Sequence, residues 1–234
     1  MLGRVVFKRA AKREGESPFW ISFSDLMSAL MVLFLVVMAV TLVAVTQRID
    51  AATRDSIKRS IAISKVMAMI ANDPRSEGVN VDRDNQTIDL GNEVYFASGS
   101  YSISEPAAKF LRRWVPVLLK AKTSPEGRRW MRDIVIEGFT DEDGTYLYNL
   151  QLSLDRSRSV ICSLFQSTSA ADGLTPAQLH EVERLFLVGG YSFNSIKKDK
   201  AESRRVEFKV DFWGLDEVPK RASDVLENKE FGKC

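Results

Sequence analysis

Asp25 is the first residue that invites a chemical reading, because it is the sole ionisable side chain between Ser17 and Gln47. A second group lies far downstream, where Thr140, Asp141, Asn149 and Arg156 place an anion, a forked cation and two hydrogen-bonding side chains within one short stretch. A carboxylate and a guanidinium brought close can each grip a group of opposite charge. The same two side chains could also form an ordinary loop-to-helix salt bridge, worth about 0 to 1 kcal/mol when exposed. One histidine, His180, and two cysteines, Cys162 and Cys234, are too few for a Cys/His zinc site or a CxxC redox pair. No GxxxxGK loop is present to cradle a phosphate. Ser153 has no histidine near it in the sequence and reads as a brace for its helix. These residues point to a non-enzyme with no metal and no cofactor.

Asp25 sits in FWISFSDLMSALMVLFLVVMAVTLVAVT, residues 19 to 46, and a bilayer core of about 30 Å needs only about 20 helical residues. The run is too long for a signal-peptide core, and no compelling cleavage site follows it. Phe19, Trp20 and Phe23 mark one headgroup boundary. Residues 1 to 16 carry a net charge of +3, whereas the residues just after the span mix Arg48 and Arg54 with Asp50 and Asp55. The positive-inside rule therefore puts the N-terminus in the cytoplasm and the rest of the chain outside. An ionised Asp near a helix centre costs about 2.5 to 3.5 kcal/mol, so this carboxylate calls for a cation or a polar partner. One charge crossing 100 mV releases about 2.3 kcal/mol, a comparable amount. Ser22, Ser28, Ala29 and Val32 share its helical face, a small-residue stripe that lets another helix approach. A plainer reading makes Asp25 an interfacial residue of a simple anchor.

The overall charge is +2, with 33 Lys and Arg against 31 Asp and Glu, which excludes a globally basic nucleic-acid binder. QRIDAATRDSIKRSIAISKVMAMIAN, residues 47 to 72, sets Ile63, Val66, Met67 and Ile70 at helical spacing and predicts a helical connector ending at Asn72-Asp73-Pro74. Strands are expected at 79 to 81, 88 to 90, 94 to 97, 133 to 137, 185 to 189 and 205 to 212. Helices are expected from an N-cap at Ser104, bent or shortened by Pro116, then over 148 to 166 and from Thr175 to about Arg184. Alternating strand and helix patterns give an α+β sandwich of one sheet and a helical layer. His180 reads as a solvated helix residue and Lys197 to Lys200 as a solvated loop. The cysteines leave a disulfide open. The domain division is a basic cytoplasmic tail (1–17), a transmembrane helix (18–46), a helical connector (47–74), an α+β domain (75–214) and a charged tail (215–234).

Two resemblances sharpen this. Trp20 to Met31, WISFSDLMSALM, resembles the span of MotB-type stator subunits, in which the matching Asp binds the translocated ion, a proton or sodium. Residues 140 to 156, TDEDGTYLYNLQLSLDR, match the TDxxGxxxxNxxLSxxR signature of OmpA-like peptidoglycan-binding domains. Phe96-Ala-Ser-Gly99-Ser100 is similar to that family's FxxGS, and Ser203-Arg204-Arg205-Val206-Glu207 to its NRRVE. The chain departs from the family at Phe139 and at Ser203. The fold so implied is a single N-terminal transmembrane helix followed by an α+β OmpA-like peptidoglycan-binding domain. By this resemblance Thr140, Asp141, Asn149 and Arg156 bind peptidoglycan, with Asp141 and Arg156 gripping diaminopimelate. Asp25 carries the ion, and Ser22, Ser28 and Ala29 line its path. The resemblance further implies a homodimer inside a ring of a multi-span MotA- or ZorA-like partner at the bacterial inner membrane, with the outer domain in the periplasm. The short connector looks most like the ZorB subunits of Zorya anti-phage systems. Flagellar MotB and a passive membrane-to-wall tether are the alternatives.

Overall fold

A computed structural model describes residues 17–166, 173–217, 231, 232 and 234. The basic tail expected over residues 1 to 17 falls outside them save for Ser17, and so does most of the charged tail. The chain divides into two compact units, Met1–Arg54 and Asp55–Cys234.

In the first unit, helix α1 (Ser17–Ala71) begins and carries the apolar run. It is the one helix among the described residues that is long and apolar enough to cross a membrane, and every residue from Trp20 to Asp50 is exposed in the single chain. Such a surface is unstable in water and suited to lipid or to other apolar helices.

The second unit is an α+β domain. Its five-stranded sheet runs β1 (Asn80–Asp82), β2 (Thr87–Asp89), β5 (Val206–Phe212), β3 (Met131–Gly138), β4 (Phe186–Gly190). Only the β3–β4 pair is parallel, and helix α5 (Pro176–Leu185) leads into the second of those strands. Helices α2 (Glu105–Thr123) and α4 (Tyr146–Phe165) supply the covering layer, with the short helices α3 (Pro125–Trp130) and α6 (Lys200–Ser203) between strands. Ser104 and Thr145 accept hydrogen bonds from the backbone N–H groups of Ala107 and Tyr148 and so start the two long helices. Pro116 neither ends nor shortens α2, because the buried side chains on both sides of it, Val115, Val117 and Leu118, hold the helix to the core.

The centre of that core is Trp114. It is fully buried, stands edge-on to Phe208 at 5.3 Å and donates from its indole N–H to Ser76 Oγ at 3.1 Å. The last turns of α1 belong to this core as well, through Ala62, Ile63, Val66, Met67 and Ile70. The stretch expected to be a connector therefore ends as a structural part of the domain. Arg59 fastens it, donating from Nε to the carbonyl of Trp213 at 2.6 Å.

Residues 94 to 97 are not a strand, contrary to the alternation of Val94, Tyr95 and Phe96. Val94 and Phe96 are buried, but the carbonyls of Phe96 and Ala97 go to arginine side chains instead of a neighbouring strand. Cys162 and Cys234 form a disulfide, so neither is free. The His180 ring is half-buried and lies 4.8 Å from that of Phe231, rather than standing in solvent.

Two small residues let α4 rest on the sheet. A Cβ on Gly138 would lie 2.0 Å from the Ser153 carbonyl, and one on Gly190 would lie 2.5 Å from Leu154 Cγ. We expect Gly138→Ala to push α4 off β3 and destabilise the domain by about 1 to 3 kcal/mol or more, read as a lowered midpoint in thermal unfolding of the full chain. A second prediction concerns Glu137, buried on β3 opposite Glu207 of β5. Burial, aided by Glu207, pushes its carboxyl above the ordinary value of 4.5, while Tyr191 and Lys209 oppose the shift. A raised acid contributes stability fully present below its unfolded value and lost as pH rises through the folded one. Glu137→Gln should thus flatten the decline of the unfolding midpoint above pH 4.5 and leave the domain more stable at neutral pH.

Candidate binding site at the ends of β3 and α4

The loop from Gly138 to Thr145 leaves the sheet beside β5 and enters α4. Its backbone is pinned on both sides: Phe139 N–H donates to Arg205 O at 3.0 Å, and Thr140 N–H donates to Ser192 O at 2.9 Å. Ser192 is fixed in turn by Ser153, whose Oγ accepts from the Ser192 N–H at 3.1 Å. Ser153 therefore braces α4 against the turn after β4.

Four side chains meet here. Asn149 and Arg156 come from the buried face of α4, Thr140 and Asp141 from the loop, and all are at most 5% exposed. Arg156 donates from Nη1 to Phe139 O at 2.8 Å, from Nε to Ser100 O at 2.9 Å and from Nη2 to Ala97 O at 3.2 Å, with Phe96 under its guanidinium. Three of its five donors are thereby committed to backbone. Burial pulls its pKa down to about 10, with Asp141 opposing the shift and Arg204 adding to it, so it stays charged at neutral pH. Asp141 does not pair with Arg156 by a direct hydrogen bond. Its Oδ2 accepts from Arg204 Nη1 at 3.0 Å, and its Oδ1 accepts from the Asp143 N–H at 3.4 Å.

Arg204 also donates from Nε to Phe96 O at 3.1 Å. The two arginines thus hold the 96–100 segment by its carbonyls and flank one carboxylate. In the sequence Arg204 is marked only as part of a basic doublet, Arg204-Arg205, directly before a strand. Ser203, which replaces the family's Asn, is buried and accepts from the Lys197 N–H at 2.9 Å. Phe139, the other departure, lies under the Arg205 guanidinium at 4.3 Å. The Lys197 to Lys200 stretch is more engaged than a solvated loop, since Lys197 pairs with Asp89 and Lys200 with Asp143.

Among the described residues, three buried side-chain polar atoms lack a hydrogen-bond partner, and two of them are here: Thr140 Oγ1 and Asn149 Oδ1. Asn149 spends its amide N–H on Asp143 O at 2.9 Å, leaving its oxygen as an acceptor beside Asp141. Buried orphaned acceptors cost about 1 to 3 kcal/mol each unless something satisfies them. Together they and Asp141 form a buried cluster of polar oxygens next to two cations, Arg156 and Arg204. No group of three or more His, Cys, Asp and Glu among the described residues is placed to hold a metal ion.

In the first unit Ser22, Asp25, Ser28 and Ala29 are all exposed on α1, and Ser28 Oγ donates to Ser24 O at 2.8 Å.

No protein-family model matches the chain. The Zorya protein ZorB of Escherichia coli O139:H28 is 42% identical over 221 residues, covering 93% of this chain and 90% of that protein. The Zorya protein ZorB of a second E. coli strain is 25% identical over 233 residues, covering 89% and 94%. Among solved structures, the periplasmic domain of Helicobacter pylori MotB is 19% identical, covers 56% of this chain and 78% of its own, and has a TM-score of 0.39. The peptidoglycan-associated lipoprotein of Burkholderia pseudomallei gives 22%, 62%, 99% and 0.35. The OmpA-like domain of FopA1 from Francisella tularensis gives 15%, 58%, 82% and 0.35. The extent and identity of the first of these matches mean that the chain belongs to the ZorB family of Zorya proteins.

Proposed function

We propose that this chain is the ion-carrying, wall-anchored subunit of an ion-driven inner-membrane motor that acts in anti-phage defence. The observation that carries the reading is Asp25, a lone carboxylate inside an apolar helix surface, in a chain of the ZorB family. One helix with one acid cannot enclose a water path, so the reading requires a multi-span MotA- or ZorA-like ring around a pair of these chains. Ser22, Ser28 and Ala29 would face that partner beside Asp25. A proton or a sodium ion would neutralise the carboxylate as it passes, and a carboxylate accepts either.

The second unit would hold the subunit still. A stem-peptide residue with a free ammonium and carboxylate would place its ammonium at Asp141 and the orphaned Asn149 and Thr140 oxygens, and its carboxylate at Arg156. Arg204 now occupies Asp141 Oδ2, so ligand binding exchanges one cation for another at that oxygen. The Cys162–Cys234 disulfide supports a periplasmic location for this unit, because bacterial cytoplasm keeps thiols reduced. With the wall gripped, ion passage would turn the partner and not this chain.

Asp25→Asn should abolish ion flux through the reconstituted complex and phage protection, with expression and cosedimentation with purified cell wall unchanged. Undiminished flux and protection would leave only a passive tether. At the second site, Asp141→Asn keeps shape but removes the charge that meets an ammonium. Loss of a charge-assisted hydrogen bond of about 1.5 to 3 kcal/mol should weaken wall cosedimentation about 10- to 100-fold, and undiminished pelleting would remove the ligand assignment.

A further inference from the structure

We propose that a groove beside Arg204 is a second subsite, which binds the sugar chain to which the stem peptide is attached, with Tyr95 as its stacking surface. The inference rests on the peptidoglycan reading above and adds a carbohydrate contact to the peptide contact.

The groove has a volume of about 510 Å³ and includes Tyr95, Asn92 and Arg204 in its walls. Arg204 joins it to the first site, since its Nη1 bonds Asp141 while its Nε bonds Phe96 O, one residue from Tyr95. Arg204 is thus the one side chain that both bonds Asp141 and lines the groove that holds Tyr95. The volume lies within the range of about 300 to 1,000 Å³ usual for small-molecule sites, so a sugar unit or two has room.

Tyr95 is held there by its neighbours. Val94 and Phe96 are each 1% exposed, whereas Tyr95 between them is 69% exposed. The core anchors the backbone on both sides, and the Arg204 bond to Phe96 O fixes its course, so the ring projects into solvent at little further entropic cost to a ligand. An aromatic face carries partial negative charge. The axial C–H bonds of a pyranose carry partial positive charge and form a flat patch of matching size. The ring's apolar body and hydroxyl tip suit a partner that is itself apolar on its faces and polar at its edges.

Charge selects among polar polymers. The groove wall holds Asp89, Asp199 and Glu202 against Lys197, Arg204 and Arg205, three of each sign. A polyanion such as nucleic acid or an anionic lipid surface would meet as much repulsion as attraction. A largely neutral polyol instead finds donors and acceptors of both kinds for its hydroxyl and acetamido groups, with the Asn92 amide offering both in one side chain.

The test uses the full chain in detergent, titrated calorimetrically with two ligands: a soluble disaccharide-peptide fragment of peptidoglycan, and the same stem peptide without sugar. The wild-type chain should bind the disaccharide-peptide more tightly than the free peptide. Tyr95→Ala should weaken the disaccharide-peptide about fivefold, the size of a lost aromatic contact, and leave the free peptide unchanged. Tyr95→Phe should retain wild-type binding of both. A Tyr95→Ala loss shared equally by the two ligands, or no loss at all, overturns the subsite alone. A wild-type chain that binds neither ligand overturns the peptidoglycan reading and the subsite with it.

Discussion

Arg156 is the fixed point of the second unit. A guanidinium with no exposed surface must spend its donors, because an unpaired charge in that position would cost several kcal/mol. It spends three of the five on the carbonyls of Ala97, Ser100 and Phe139. These belong to two segments far apart in sequence, and α4 carries the arginine itself. One side chain therefore ties the helix, the end of β3 and the 96–100 segment into one body. Gly138 lets the helix come close enough for the arginine to reach, and Phe96 closes the space beneath it.

This tie explains how a buried polar cluster persists inside an apolar domain. Asp141 stands beside one cation that bonds it directly and a second that acts through space. The backbone on either side is pinned to Arg205 O and Ser192 O, so the loop cannot collapse to satisfy Thr140 Oγ1 and Asn149 Oδ1. Rigid surroundings leave these two polar atoms unpaired, at a cost in stability that burial of the Trp114 core offsets. The disulfide works in the same direction. It joins residues 72 positions apart, and closing a loop of that length restricts the unfolded chain by about 4 kcal/mol in the entropic account.

Much of this was legible in the sequence, for identifiable reasons. Asp25 stands out because it is the sole ionisable side chain in an apolar run, and that run declares its own length. Ordered spacing made Asp141, Asn149 and Arg156 visible, since a loop and the helix after it keep local residues together. The Asp141–Arg204 bond was not legible, because its partners are 63 residues apart and only the sheet order brings them together. The same limit left open whether Cys162 and Cys234 pair. The false strand at 94 to 97 had a correct burial pattern, with Val94 and Phe96 inside, but alternation reports which side chains are buried and says nothing of what takes the carbonyls. Along the connector, Ile63, Val66, Met67 and Ile70 announce a buried face without naming what covers it, which is the core of the α+β domain.

The grip on the 96–100 segment is made through carbonyl oxygens, which every amino acid possesses. The side chains of Ala97 and Ser98 are consequently free to drift among relatives without altering the shape they border, whereas Arg156 and Arg204 are not. Gly99 is the exception within the segment, since its backbone is left-handed at φ +65°. The border of the site can therefore change residue by residue while the scaffold beneath remains the same.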